Sequence, residues 1–225
     1  MLPIRIVNTS HVLNSTQYQW GTSPTLSLVD GSRNRNNGTF SNVTWTQLPS
    51  GVWVNSFNGT TSYIEIADSP SMRMTQGGTI IAWVKANSIG ENNAGRIIDK
   101  SSGDLGINGY DIYIRGTNQI GLLVNGATLT TTSVNALPFA IWKMVIITMG
   151  TSRKIYVNAV DVTASGGSET ALPPDIAGAV RIGNRAGAID FTFNGQMSPL
   201  RMLGKIFTQA DVTRIFTAER PLYGV

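Results

Sequence analysis

Between residues 63 and 183 one pattern recurs: a short run of β-branched, aliphatic or aromatic residues, then a break at Gly, Asn or Ser. The runs are YIEI (63–66), TIIAWVK (79–85), RIIDK (96–100), YDIYI (110–114), QIGLLVN (119–125), WKMVIITM (142–149), KIYVN (154–158) and VRIG (180–183). Such lengths suit strands and are too short for buried helices. Several runs alternate: Ile112 and Ile114 face away from Tyr113, Ile120, Leu122 and Val124 share a side, and Ile155 and Val157 oppose Tyr156. Two stacked antiparallel sheets bury faces of this kind, so the expected fold is an all-β sandwich.

The breaks carry turn chemistry. Asn125-Gly126 supplies the two positive-φ residues of a tight hairpin turn. At Asn158-Ala159 the alanine resists positive φ, which predicts a different turn or a longer loop there. Thr208 with Asp211 three residues on forms a capping-box-like start, and Val212, Ile215 and Phe216 add a short apolar stripe, so one short C-terminal helix is expected on the sandwich's rim. With 225 residues and no composition break, one domain is expected over residues 28–225, preceded by an N-terminal segment, 1–27, that is an edge strand or an arm. Trp83 and Trp142 sit among apolar residues and read as core between the sheets, whereas Trp20, Trp45, Trp53, Tyr18 and Tyr110 fall nearer strand ends, where a ring could stack on a ligand.

Composition removes several functions. There is no Cys, hence no disulfide, thiolate chemistry or Cys-ligated zinc. The 17 basic residues are scattered, which argues against nucleic acid. No window is long and apolar enough for a membrane helix, and the N-terminus lacks the pattern of a signal peptide, so the sequons at Asn8, Asn14, Asn37, Asn42 and Asn58 read as ordinary turns. The sole histidine, His11, has no triad or metal partners nearby in sequence. No run places two or three carboxylates on one strand face as a retaining glycosidase does, and GNRAG (183–187) opens no helix that would cradle phosphate.

The ordered succession LVDGSRNRNNGTFSNVTW (28–45), SFNGTTSYIEI (56–66), GTIIAWVK (78–85), GRIIDK (95–100), GYDIYI (109–114), IGLLVNG (120–126), WKMVIITM (142–149), RKIYVNAVDV (153–162), VRIGN (180–184) and FNGQMSPLRML (193–203) resembles the laminin-G-like jelly rolls of the concanavalin A-like lectin/glucanase superfamily. The resemblance covers about residues 28–216 and implies two antiparallel sheets of six or seven strands each. It also implies a non-catalytic binding or structural module more often than a glycan hydrolase.

In calcium-binding relatives a carboxylate on the closing strand shares the ion with oxygens near the N-terminus, here Asp30, Asn37 and Gly38. This chain has Ser198 and Pro199 where that strand's acids belong. A calcium ion needs six to eight oxygen ligands with several negative charges, so the expectation is a lost site and no cofactor, with Asp30 serving its Asp-Gly-Ser turn; the alternative is a retained calcium ion at Asp30, Asn37 and Gly38. Glu65, Asp68, Asp99, Asp104 and Asp111 are expected where loops gather at one rim, either as solvated carboxylates or as ligand contacts. The ligand-binding candidates are Asp104 and Asn108 in the loop SSGDLGING, with Tyr110 and Asp111 beside it.

The functional expectation is a non-catalytic structural or adhesion protein, a phage or viral virion component such as a capsid decoration, head-fibre or tail-associated protein. Its expected partners are other virion proteins or surface glycans, and a homo-oligomer is compatible with that role. The motive is a jelly roll that fills the chain, starts at Met1 and lacks cysteines, a signal peptide and an attached enzyme domain. The expected location is a virion surface, or alternatively outside a cell. The alternatives are a soluble lectin-like glycan-binding module and, less favoured, a glycoside hydrolase with an unrecognised site.

Overall fold

The protein is described from a computed structural model over residues 11–14, 27–102, 107–126, 128–167 and 169–225. Two antiparallel sheets of nine strands each face one another. One runs in the order β14 (Val160–Asp161), β13 (Arg153–Val157), β12 (Lys143–Met149), β7 (Gly78–Ala86), β17 (Asn194–Met197), β5 (Trp53–Asn58), β4 (Thr44–Gln47). Beside it, β18 (Arg201–Leu203) pairs with the first half of β7 and with β1 (His11–Asn14). The other sheet runs β15 (Thr163–Ser165), β11 (Thr128–Thr132), β10 (Gln119–Val124), β9 (Tyr110–Arg115), β8 (Arg96–Lys100), β16 (Val180–Ile182), β6 (Tyr63–Ile66), β3 (Gly38–Ser41), β2 (Ser27–Leu28). Nine strands per sheet exceed the six or seven that the resemblance implied, because short edge strands such as β1, β2, β14 and β15 extend both sheets.

Alternation decides what each strand buries. Ile80, Ala82, Val84 and Ala86 of β7, Val145 and Ile147 of β12, and Ile155 and Val157 of β13 meet Ile112, Ile114, Ile120, Leu122 and Val124 of the second sheet in the main core. The intervening residues, Ile81, Trp83, Met144, Ile146 and Tyr156, point the other way and are also buried. Strands apolar on both faces need a cover on each. The C-terminal helix α1 (Gln209–Glu219) and the turn after it supply one, through Val212, Ile215 and Tyr223. Thus α1 starts where the sequence predicts, with the reciprocal Thr208–Asp211 capping box, but it lies across the outer face of the first sheet and not on the rim.

Trp83 is the centre of that second core and is not between the sheets as expected. Its ring stacks on Tyr223 at 4.3 Å and 12°, and on Phe216 at 6.0 Å and 23°. Its Nε1–H donates to Glu219 Oε2 at 2.9 Å, and Arg201 of β18 holds the same carboxylate by two contacts of 2.5 and 2.7 Å. Trp142 belongs to this cluster too, 5.1 Å from Tyr223.

The Asn125-Gly126 turn has positive φ at both residues, 56° and 68°. The Asn158-Ala159 expectation fails: Val157 pairs directly with Val160, and Ala159 takes φ 66° in a two-residue turn. The Asn158 side chain accepts from Met144 N–H, and Ala159 O accepts from Gln209 of α1, so neighbours hold the alanine in a conformation that disfavours it. Ser198, in place of an acid, lies where β17 leaves β7: its Oγ accepts from Trp83 N–H and donates to Pro199 O.

Trp83→Ala is expected to cost about 3–5 kcal/mol in urea unfolding, because a buried ring and its two stacking partners lose contact together. The β-type circular dichroism of the folded state should persist, since the main core lies on the other side of β7.

Candidate ligand-binding face

The Asp30 loop is closed on itself. Asp30 is buried; its Oδ1 accepts from Ser32 N–H at 2.8 Å, and its Oδ2 from Ser32 Oγ–H and Asn36 N–H, both at 2.7 Å. Asn37 Oδ1 accepts from Asp30 N–H at 2.9 Å. Gly38 lies in β3, where a side chain would strike Ile64 and Ile66 across the strand. Oxygens occupied by N–H and O–H donors do not suit a cation, and Ser198 and Pro199 add no charge. These residues do not fit a calcium site. Among the described residues no group of three or more His, Asp or Glu is arranged to hold a metal.

The loop end of β8 and β9 separates the other candidates. Asp104 lies outside the described residues. Asn108 is exposed and donates to Ser102 Oγ. Tyr110 is fully buried and its hydroxyl donates to Met72 O at 2.9 Å, so the structure corrects it from a ligand contact to a core residue. Asp68 binds Lys100 and Arg73 there, at 2.8 and 2.6 Å, and those cations hold its carboxyl well below the usual range.

Asp111 is not at the rim. It stands on the outer face of the second sheet, opposite Asp99 on β8, and both are fully buried. Arg96 lies between them, Nε 3.5 Å from Asp99 and Nη2 3.3 Å from Asp111, with its guanidinium over the rings of Tyr113 (4.7 Å) and Phe191 (4.8 Å). The Tyr113 ring lies against Gly121, where a Cβ would come within 2.9 Å of it; only glycine leaves that room. Residues 184–192 close over the group: Phe191 stacks on Arg96, and the Ala186 backbone lies against Asp99.

Burial governs the charges. It pushes Asp99 up to about 6, opposed by the Ser101 hydroxyl and Arg96. It pushes Asp111 up to about 7, with Arg96 opposing and Asp99 adding to the rise. Further along the same face Arg181 lies 4.2 Å over the Tyr63 ring and donates to Glu65 at 2.8 Å. Sequence reasoning weighed Asp99 and Asp111 but overlooked Arg96, Tyr113 and Phe191. A readable signal was charge at outward positions of apolar runs, in RIIDK and YDIYI.

The remaining aromatics divide. Trp45 is half-buried against Phe40 at 5.4 Å, and Trp53 is half-buried beside it on the β4–β5 hairpin. Trp20 and Tyr18 lie outside the described residues. An open depression of about 320 Å³ is lined by Gln76, Gly150, Thr151, Thr170, Leu172 and Ile206; it holds no carboxylate.

The laminin-G-type family model of the concanavalin A-like lectin/glucanases superfamily matches residues 58–213. No curated protein sequence matches the chain. Among solved structures, the binding domain of Paraclostridial Mosquitocidal Protein 1 is similar at TM-score 0.69 and 13% identity, over 96% of this chain and 55% of that one. The receptor-binding domain of botulinum neurotoxin D is similar at TM-score 0.67 and 13% identity, over 94% and 53%. This chain therefore spans about half the length of those two. Domain 4 of AbnA, a GH43 extracellular arabinanase from Geobacillus stearothermophilus, solved with arabinotriose, is similar at TM-score 0.64 and 15% identity, over 83% of this chain and 91% of that one.

Two outcomes follow from the geometry. Asp99 and Asp111 keep their protons to higher pH in the folded chain than in the unfolded one, whose carboxyls titrate near 3.8. Their contribution to stability is therefore full below about pH 4 and is lost as pH rises through about 6 and 7. Melting temperature should fall between pH 5 and pH 8, and Asp111→Asn should flatten that slope. Calcium should leave melting unchanged from chelator to millimolar ion, whereas a native-state site at a hundredfold excess over Kd would add about 2.7 kcal/mol.

Proposed function

We propose that this chain, which belongs to the concanavalin A-like lectin/glucanases superfamily, is a non-catalytic glycan-binding protein that works in adhesion. The observation that carries this reading is the state of its facing acids. Asp99 and Asp111 are the one carboxylate pair that strand register sets opposite each other among the described residues. They are buried around Arg96, whose guanidinium stands between them in the space that a glycosidic bond would need for one acid to protonate it while the other attacks or activates water. The shared fold with an arabinotriose-bound domain, matched over most of both chains, supports a saccharide as ligand class, as do the toxin binding domains of the same fold.

The finer part of the proposal is attachment to a phage or viral particle, where the protein would present a glycan-binding surface among other virion proteins. A cysteine-free fold held by packing and by ion pairs such as Arg201–Glu219 suits a particle assembled without oxidation. No helix among the described residues is long and apolar enough to cross a membrane.

A glycan array followed by calorimetry tests the first part: saturable binding to one class of oligosaccharide is expected, with no reducing sugar released on long incubation. Release of reducing ends would return the hydrolase reading. Co-purification with particles, read by mass spectrometry of gradient-banded virions, tests the second part.

A further inference from the structure

The polar group on the second sheet is incompletely satisfied. Neither oxygen of Asp111, nor Asp99 Oδ2, nor Arg96 Nε and Nη2 completes a well-formed hydrogen bond, although all are buried; the backbone of Leu123 lies against Asp111 without closing one. The two ion contacts, 3.3 and 3.5 Å, are long for charge-assisted bonds. Buried polar atoms left in this condition destabilise the closed state by the desolvation they have already undergone. The covering segment is strained as well. Phe191 has φ 53°, a left-handed conformation unfavourable for an aromatic residue, and Gly183 and Gly187 turn at φ 83° and 80°. Its ends are nevertheless well clamped: Asn184 accepts from Arg185 and Asp190 N–H and donates to Thr192, and Arg185 pairs with Asp190 at 2.7 Å. At its crest Ile189 is more than half exposed.

We propose that residues 184–192 form a lid over a latent saccharide subsite made of Arg96, Asp99, Asp111 and Tyr113. The assignment rests on the glycan-binding reading and names its place. Four properties select the ligand class. Carboxylate oxygens accept from paired hydroxyls, and the guanidinium donates to a ring or hydroxyl oxygen. The Tyr113 ring provides a flat apolar wall for the C–H face of a sugar. Two carboxylates repel a phosphate or sulfate, while the guanidinium between them repels a metal cation, which leaves a neutral polyol. In the closed state Phe191 holds the Arg96 guanidinium from the side a ligand would approach. Lifting the lid frees the guanidinium, relieves the strain at Phe191 and admits hydroxyls to carboxylate oxygens that the closed state satisfies only through long ion contacts.

Hydrogen exchange by mass spectrometry tests the lid without any ligand. The bonds that close it include Arg96 N–H to Phe191 O and Phe193 N–H to Gly183 O, at 2.8 and 2.9 Å. Their amides should exchange faster than the β9–β10 ladder, at a rate that low urea leaves unchanged. Exchange as slow as the ladder, and accelerated by urea along with it, would mean that the segment opens only with global unfolding and would overturn the lid. The subsite is tested with the arabino-oligosaccharides and with the hits of a glycan array. Asp111→Asn should weaken binding about tenfold or more with folding intact, and Phe191→Ala, which removes the clamp, should strengthen it. Binding indifferent to both variants would place the ligand elsewhere, leaving the glycan-binding reading in force and this inference refuted. A lid that opens, with no oligosaccharide bound by the parent or by Phe191→Ala, would refute the saccharide assignment together with the reading it rests on.

Discussion

Strands that are apolar on both faces govern this architecture. A sandwich strand normally shows one face to the opposite sheet and the other to water, but β7, β12 and β13 carry Ile81, Trp83, Met144, Ile146 and Tyr156 on the side that would be wet. At about 25 cal/mol per Å² of apolar surface, burial favours a cover whose own apolar side chains, Val212, Ile215 and Tyr223, leave water together with those of the strands, and the two gains act jointly against the entropy of ordering a short helix. The C-terminal helix and the Trp83–Tyr223–Phe216 stack follow from that. Glu219, positioned by Arg201 from β18, satisfies the one polar atom of the Trp83 ring and fixes the helix to the sheet it covers.

The second sheet meets a related demand in a different way. Around Arg96 its outward positions are mainly polar or aromatic, with Leu123 beside Asp111, and the cover is a clamped loop with one aromatic residue reaching down to a guanidinium. An apolar cover over an apolar face is satisfied by contact alone. A loop over two carboxylates and one arginine must supply hydrogen-bond donors, and residues 184–192 supply too few. The difference between the two covers separates a permanent structural layer from a face whose closed state is under tension, and the proposed binding role belongs to the latter.

The eight short apolar runs became β6 to β10, β12, β13 and β16, with ends shifted by two residues or fewer, because run length and β-branched or aromatic residue type are local properties. Strands such as β4 (TWTQ) and β11 (TLTTT) escaped residue-level reading because neither carries an apolar alternation: β4 is a half-exposed edge, and β11, between β10 and β15, buries Thr130, Thr131 and Thr132, whose hydroxyls find hydrogen-bond partners. The capping box was likewise legible, as both its members lie within one helical turn. Ala159 was misjudged because intrinsic preference gave way to hydrogen bonds from Met144 and Gln209, residues far away in the chain.

The sequence by itself determined the strand content, the sandwich class, the start of the helix and the absence of thiol chemistry, all of which depend on residue type and spacing of a few positions. Only the tertiary structure decided which face each apolar residue buries, that α1 lies across a sheet, and that Tyr110 is core while Asp111 meets Asp99 under a loop from 80 residues further on. Alternation states that two faces differ but not what stands opposite each. That depends on strand register and on segments brought together over long chain separations, and the same few ångströms determine whether a carboxylate meets water, a guanidinium or a closed lid.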